Sequence, residues 1–556
     1  MARHLTGQKR VLKLDPRDNV LVALTDLRKD ERVSFDGKNC TLLSNVSAKH
    51  KFVTQDLAAG AEVIMYGVLV GQTTQALRAG DVLTTWNIRH AAAAFHEMEH
   101  VGGRWTAPDV SPWRGKTFGG FHRADGQVGT RNYWLMIPLV FCENRNLAVL
   151  KQAFEEELGF AAPQIYRREV AELARLYREG KSDELKTFTF GAMQRGPSAP
   201  KVFPNVDGIK FVMHEGGCGG TREDSNNLCG LLAGYIHHPN VAGATVLSLG
   251  CQHAQVSILL EQIKRRDANF SKPLLIFEQQ KSASEAAMLS QAIRDTFLGL
   301  AEADKVTRQP ASLSQLTLGL KCGGSDGFSG LSANPAIGHT ADLLTALGGR
   351  GILSEFPELC GAEQGLIERC VRKEVSERFV QLMRDYAARA KAVLSGFEMN
   401  PSPGNIRDGL LTDAMKSAGA AKKGGTSPVT AVLDYPEYSS EPGLNLQCTP
   451  GNDVECVTAQ VGAGANVVLF TTGLGTPTGN PIAPVVKIST NTNLAQRMSD
   501  IIDIDAGGII SGQTTIQEMG ETILSQVIRV ASGEARTKAE FLSQDDFIPW
   551  KRGVSL

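Results

Sequence analysis

Residues 316–327 read LTLGLKCGGSDG, an apolar run that ends on lysine and cysteine and breaks at two glycines. Taken as a strand, it delivers a thiol, a hydroxyl and a carboxylate to its carboxyl end. The same grammar recurs upstream: YWLMIPLVF (133–141) leads into Cys142, GIKFVM (208–213) into His214 and Cys218, and ATVLSLG (244–250) into Cys251. Amphipathic helical stretches alternate with these runs, which predicts α/β layers with mainly parallel strands. In open α/β sheets ligands gather outside the carboxyl ends of the strands, so Cys218, Cys251 and Cys322 can converge although far apart in sequence. A single buried cysteine is more often a small hydrophobe; the repeated strand-end setting favours a shared role for the set.

Working outward, residues 10–90 hold short strand-like runs: NVLVAL, ERVSF, NCTLLSNV, KFVTQDL, AEVIMYGVLVG and DVLTTWN, with a hairpin turn at Asp36-Gly37. Such dense turn signals predict a small all-β domain over 1–100. The Gly-, Pro- and Trp-rich stretch 101–120 reads as a linker. An α/β domain with Cys/Gly-rich strand-end loops is expected over 121–399, and a C-terminal α/β domain over 400–556. Within the body, RREVAELARLYREGKSDELK (167–186) reads as a helical insertion with a solvated face, and MQRGPSAPKVFPN (193–205) as its turn-rich return. Residues 378–394 have helical periodicity. AMKSAGAAKKGGT (414–426) reads as a mobile surface loop.

Composition excludes several classes. Lys+Arg (58) nearly balances Asp+Glu (59), and 42% of the 556 residues are hydrophobic, so a nucleic-acid footprint and a disordered chain are not expected. The charged start, MARHLTGQKRVLKLDPRDN, lacks the apolar core of a secretory signal, and no run reaches membrane-spanning length. These features predict a cytoplasmic protein with neither membrane nor nucleic acid as partner, and a homo-oligomer is expected. Ten cysteines without a CxxC pair match neither a secreted disulfide framework nor a zinc ribbon.

For HEGGCGG (214–220), a metal held by His214 and Cys218 and a glycine-rich anion-binding turn with an incidental cysteine account for the motif about equally. In KCGGSDG (321–327), Ser325 and Asp326 suit a polar ligand, and equally a helix N-cap. Loops carrying Asn405 (NPSPGN), Asn452 (TPGND) and Thr472 and Thr476 (TTGLGTPTG) supply hydroxyls, amides and open backbone for a polyhydroxylated acid. His50, followed by Lys51 in the β domain, has no local explanation.

At these motifs the chain resembles the altronate dehydratase/galactarate dehydratase family. The matching stretches are Arg123-Ala-Asp-Gly-Gln-Val-Gly-Thr-Arg131-Asn132, His214 with Cys218, His238-Pro-Asn240, Leu249-Gly-Cys251, Cys322 through Asn334-Pro335, Phe356-Pro-Glu-Leu-Cys-Gly-Ala-Glu363, NPSPGN, PGND and Thr472-Gly-Leu-Gly-Thr476-Pro477. They run in order along nearly the whole chain, and Gly361-Ala-Glu363 and Pro442-Gly-Leu-Asn445 resemble the altronate branch more. The resemblance implies an N-terminal SAF-type β-clip domain, a large α/β body, and iron-dependent dehydration of a sugar acid to a 2-keto-3-deoxy acid. It departs at Asp15, Trp86 and Gln252, where the family pattern has histidines and a glutamate.

On that footing the expected ligands of iron, as Fe²⁺ or an iron–sulfur cluster, or of another divalent metal, are Cys218, Cys251 and Cys322. Proton transfer falls to His50 or His214, with Lys51 assisting. The small-molecule sugar acid is expected at Arg123, Arg131, Asn132, Ser325, Asp326, Asn334, Asn405, Asn452, Thr472 and Thr476. D-altronate is the first substrate expected. Galactarate or a sulfonated hydroxy acid, or a role as a non-catalytic sugar-acid binder, are the alternatives.

Overall fold

The Asp36-Gly37 pair forms the turn its sequence calls for: both residues take positive φ, 45° and 72°, and Phe35 pairs with Lys38 across the hairpin. It belongs to a computed structural model that describes residues 9–97, 105–161, 165–189 and 200–555. The first four linker residues and MQRGPSA (193–199) lie outside the described residues. AEVIMYGVLVG is a second hairpin, Glu62–Met65 with Val68–Thr73, because Tyr66 and Gly67 both turn at positive φ. DVLTTWN contributes only a bridge at Val82, and the ordered strand is the following Ile88–Arg89. These pieces make the small antiparallel β domain that was expected. Its inner face, with Val20, Val53, Val63 and Val70, packs directly on Phe328, Leu331, Met415 and Ala418 of the body.

The body carries two parallel sheets. A four-stranded sheet runs in the order Gly208–Phe211, Tyr133–Pro138, Val241–Ser248, Leu274–Glu278. A seven-stranded one runs Val429–Leu433, Gly443–Gln447, Arg350–Leu353, Thr317–Cys322, Val467–Thr472, Val485–Ser489, Ile504–Asp505. Every pairing in both is parallel, and the central strands are buried along their whole length, as expected of sheets covered on both faces.

Two boundaries change. The division expected near residue 400 falls inside the seven-stranded sheet, where strands from before and after it alternate through non-local pairing. The linker expected over 101–120 ends early, because Thr117–His122 is a strand paired with Gln309–Ser312. The charged insertion forms the helices Ile165–Arg178 and Ser182–Thr187, and the periodic stretch near 378–394 forms Lys373–Ala392. Among the described residues no helix is long and apolar enough to cross a membrane.

The two sheets share a core in which Leu135, Ile137 and Val246 meet Ile352, Val468 and Phe470 through the helices Arg222–His237 and Asp453–Gly462. At their amino ends they are stitched together. Thr130 Oγ1 donates to Asn466 O (2.9 Å), the His238 ring bonds Ala465 O (3.0 Å), and Asn240 Nδ2 donates to Ile482 O (2.8 Å). Both sheets therefore start at one level and direct their carboxyl ends to the same side.

Candidate active site

At the carboxyl edge of the seven-stranded sheet opens a cavity of about 710 Å³. Its inner wall is built by the residues that follow the central strands: Cys322 to Ser325, Glu358, and Gly451 to Asp453. Asn400, Asn405 and Lys416 close one side, and Arg389, Lys551 and Arg552 bring positive charge to the margin.

Behind that wall lies a buried chain of alternating charge. Lys321 pairs with Glu355, and with Asp453 at 2.9 Å; Lys423 pairs with the other Glu355 oxygen and donates to Cys322 Sγ at 2.9 Å. Lys416 donates to Glu358 (2.8 Å) and to Asn400 Oδ1 (2.6 Å). Glu355 has a left-handed backbone, φ +71°, an unfavourable conformation for a side chain with a Cβ, held by the two lysines and by the Thr449 hydroxyl accepting its N–H (3.0 Å). Burial pushes the Glu358 carboxyl up, but Lys416, Lys321 and Lys423 outweigh it and hold the group at about 2. Burial raises the Cys322 thiol, with Lys423 opposing, and raises the Glu355 carboxyl against Lys321 and Lys423.

Asp413, at the start of the helix beneath Lys416, is fully buried; burial first, then the Glu358 charge, raises its carboxyl from 3.8 to about 8. A carboxyl that holds its proton more tightly when folded costs stability as pH rises between its unfolded and folded values, so this contribution is intact at pH 3.8 and lost by about 8. Asp413→Asn should accordingly flatten the fall in melting temperature across that window and make the variant the more stable chain at its alkaline end. Parallel melting curves for the two proteins against pH would contradict this.

Of the residues expected to act, Cys322, Ser325, Asn405 and Asn452 line the cavity. Ser325 Oγ is buried with no hydrogen-bond partner among the described residues, and Asn405 Nδ2 donates to Ser325 O (2.7 Å) while its Oδ1 closes a capping box with Ser402. Asn452 caps the helix Asp453–Gly462. Asp326, Asn334, Thr472 and Thr476 shape the wall from behind. Asp326 accepts from Ser329 Oγ (3.0 Å) and pairs with Lys49 (3.0 Å), Asn334 Oδ1 accepts from Thr471 (2.6 Å), and Thr472 Oγ1 accepts the Gly475 and Thr476 N–H groups.

The other expectations are corrected by position. Arg123, Arg131 and Asn132 sit at the opposite, amino end of the strand Tyr133–Pro138 and spend their donors on protein. Arg123 donates to Pro239 O and Asn132 Oδ1, Arg131 to Glu540 and Val530 O, and Asn132 Nδ2 to Asn205 O and Ala303 O. Both ring nitrogens of His214 are taken by backbone, Pro138 O at 2.7 Å and Gly216 N–H at 3.1 Å, and burial lowers the ring to about 4. His50 bonds Arg407 O (3.0 Å) and the buried Lys51 donates to Gly409 O (2.6 Å), so this β-domain turn is a docking clip for the loop that carries Asn405. Cys218 and Cys251 are exposed on the four-stranded sheet, whereas Cys322 is buried on the other. Gln252 bonds Gly250 N–H and Ser248 within its own turn, and Trp86 is exposed.

Sequence reasoning missed Lys321, Glu355, Glu358, Lys416 and Lys423. The stretch read as a mobile loop is the helix Asp413–Ala420 and a following turn, with Lys416 and Lys423 buried in the charge network. One signal was available: Lys321 closes an otherwise apolar strand, where a cation needs a partner.

Side chains within metal-ligating reach of one another form two groups among the described residues, Cys322–Glu355–Glu358 and Asp125–His237–Asp267.

Three family models match in succession: the altronate/galactarate dehydratase SAF domain over residues 9–91, the D-galactarate dehydratase/altronate hydrolase second domain over 120–304, and the D-galactarate/altronate dehydratase C-terminal region over 313–555. The altronate dehydratase of Escherichia coli (strain K12) is 33% identical over 545 residues, 98% of this chain and 99% of that protein. Galactarate dehydratase (L-threo-forming) of the same organism is 29% identical over 95% of this chain and 93% of its own length. The (2R)-sulfolactate sulfo-lyase subunit beta of Chromohalobacter salexigens is 28% identical over 78% of this chain and 97% of its own.

Proposed function

Since the chain belongs to the D-galactarate/altronate dehydratase family, we propose that it is a hydro-lyase removing water from a sugar acid, an aldonate such as D-altronate, in the cavity at Cys322. The observation that supports this reading most is the cavity's inner wall, where the Cys322 thiol, the Glu358 carboxylate and the Lys416 ammonium meet beside the amides of Asn400, Asn405 and Asn452.

Dehydrating a 2,3-dihydroxy acid means taking a weakly acidic proton from C2 and expelling the C3 hydroxyl. The enediolate formed between these events carries extra negative charge next to the carboxylate. Fixed cations aimed at that position stabilise it without reorganising. Lys416 supplies the cation at the wall, and Lys551 with the margin arginines draws in the carboxylate. Cys322, as thiolate against the Lys423 ammonium, takes the C2 proton. Lys416 protonates the departing C3 oxygen, which leaves as water, and the enol ketonises to the 2-keto-3-deoxy acid with a solvent proton at C3. Asn400, Asn405, Ser325 and Asn452 hold the remaining hydroxyls.

The iron expected from the family resemblance does not fit among Cys322, Glu355 and Glu358. Each donor already carries a lysine ammonium, with Lys423 2.9 Å from the sulfur, so a cation would meet three like charges there. No step is assigned to a metal at this position.

The galactarate and sulfolactate relatives support, as the second reading, the same C2 proton removal with loss of water from galactarate or of sulfite from a sulfonated hydroxy acid. Keto-acid formation from D-altronate, galactarate and (2R)-sulfolactate, with and without Fe²⁺, separates them. The highest kcat/KM is expected on altronate. Turnover confined to another acid would replace the substrate, and thermal stabilisation by these acids without any keto product would reduce the protein to a binder.

A further inference from the structure

A second cavity, of about 640 Å³, opens at the amino ends of the two sheets. Thr317 lines it and Cys322 lines the reaction cavity, so one strand of six residues holds the two about 17 Å apart. Asp125, Gln127, His237 and Asp267 stand in its wall. Asp125 lies in the turn between the strands Thr117–His122 and Val128–Gly129, His237 ends the helix Arg222–His237, and Asp267 follows the helix Val256–Arg266. Helices between parallel strands run back to the strands' amino ends. The negative ends of two helix dipoles therefore meet at this edge, a setting that favours a cation.

Two carboxylates add to that negative charge. Asp125 Oδ2 and Asp267 Oδ2 lie 3.8 and 4.0 Å from His237 Nε2, and no lysine or arginine among the described residues comes within ion-pair distance of either. Lys272 spends its ammonium on the backbone carbonyls of His237 (2.7 Å) and His238 (2.8 Å). Asp267 Oδ2 is buried with no hydrogen-bond partner among the described residues, and so is Nδ1 of His237, a residue only 6% exposed. Buried polar atoms left unpaired in this way are costly and call for a ligand.

The Gln127 amide fixes the state of the ring. Its Oε1 accepts from the Tyr438 hydroxyl (2.7 Å) and its Nε2 donates to Asp125 Oδ2 (2.8 Å), so the same Nε2, 3.1 Å from His237 Nε2, meets a lone pair there. His237 thus carries its proton on Nδ1 and turns a ligating nitrogen toward two carboxylates. Unlike Cys322, Glu355 and Glu358, these donors are not already held by ammonium groups.

We propose that Asp125, His237 and Asp267 bind a structural divalent ion of the Mn²⁺ or Zn²⁺ class, remote from the reaction cavity, with the Gln127 amide turned over to supply a fourth donor. The three ligand atoms all lie within 4.8 Å of one another, close enough for one ion to draw them to about 2.0–2.2 Å. One imidazole among carboxylates suits these ions better than Ca²⁺ or Mg²⁺, which take oxygen alone. Once turned, the amide's NH₂ donates to the Tyr438 oxygen. Tyr438 lies between the strands Val429–Leu433 and Gly443–Gln447, so the ion fastens the helices of the four-stranded sheet to the seven-stranded one. The proposal does not rest on the dehydratase reading.

The test titrates the full chain, stripped with EDTA, with Mn²⁺, which has little affinity for the exposed thiols. Free Mn²⁺ is read by electron paramagnetic resonance. One ion per chain is expected, displaced by Zn²⁺, and the spin echo of the bound ion should show coupling to one imidazole nitrogen. Asp267→Asn and His237→Gln should each weaken binding by more than about 100-fold, beyond the roughly 10–100-fold that loss of an outer partner costs. Without metal, Asp267→Asn should melt no lower than the wild type, because it removes one of two close carboxylates; with Mn²⁺ only the wild type should gain in melting temperature. Keto-acid formation by Asp267→Asn should stay within a few-fold of wild type. Absence of a stoichiometric Mn²⁺ site, unchanged affinity in both variants, or a bound ion without nitrogen coupling would overturn the proposal. Loss of turnover together with the ion in Asp267→Asn would overturn its separation from the chemistry.

Discussion

Cys322→Ser lowers kcat by about 10²–10⁴-fold, the usual worth of a positioned general base, and leaves KM within a few-fold. The thiol is at the cavity wall, is hydrogen-bonded by Lys423 and has Glu358 3.8 Å away. A serine hydroxyl keeps the shape of the site and a weaker hydrogen bond to Lys423 while losing a base of accessible pKa. The pH profile separates this role from a structural one. Burial raises the Cys322 thiol, so the reactive thiolate grows as pH increases and kcat of the wild type should climb towards alkaline pH. The variant's residual activity should lack that limb. A Cys322→Ser enzyme with wild-type kcat, or with the same alkaline rise, would remove the thiol from the chemistry.

Lys423→Met should cost about 3–5 kcal/mol of stability, the range for breaking a buried ion pair by removing one partner. Lys423 and Glu355 are both fully buried, and Glu355 keeps a left-handed backbone while its carboxylate is shared between Lys423 and Lys321. Methionine fills the volume but leaves one carboxylate oxygen without a cation. Adding Glu355→Gln removes the orphaned charge, so the double variant should recover part of the loss, and the two changes should be far from additive. Melting temperature and denaturant midpoint of the wild type, both single variants and the double variant measure this. Unchanged melting in Lys423→Met, or additive losses, would mean that the network does not act as a unit. The same cycle protects the kinetic test, because a folded but inactive double variant would trace the lost rate to the Lys423–Glu355 pair and not to unfolding.

Much of the architecture was readable because strands and turns are written locally. LTLGLK became Thr317–Cys322 almost to the residue, and Asp36-Gly37 turned where two positive-φ residues were needed. Strand neighbours are not written that way. Cys322 was grouped with Cys218 and Cys251 because all three end apolar runs, but non-local pairing puts its strand in a different sheet and gives Cys142 the place beside the other two. The boundary expected near 400 failed for the same reason.

The cavity wall was half legible. Glycine, serine and asparagine loops after strands announced Ser325, Asn405 and Asn452. The lysines were hidden in AMKSAGAAKKGGT, whose small residues resemble low complexity when read alone. In the fold those residues permit close packing: a Cβ on Gly330 would lie 2.6 Å from the Gly419 Cα and 2.3 Å from the Tyr66 hydroxyl. That approach of helix to body carries Lys416 to Glu358. Arg123 and Arg131 show the opposite error. The family resemblance alone put these two arginines at the sugar acid, yet their partners are carbonyls and Glu540, at the amino end of the strand Tyr133–Pro138.

The most direct measurement of the central claim is product analysis in D₂O with D-altronate and the anaerobically purified protein. The account predicts a 2-keto-3-deoxy acid carrying one deuterium at C3, delivered when the enol ketonises, and a rate reduced by about 10²–10³-fold in Lys416→Met, the effect of removing one preorganised charge donor. No keto acid from altronate or from any acid of the panel, or a Lys416→Met enzyme as fast as wild type, would contradict it.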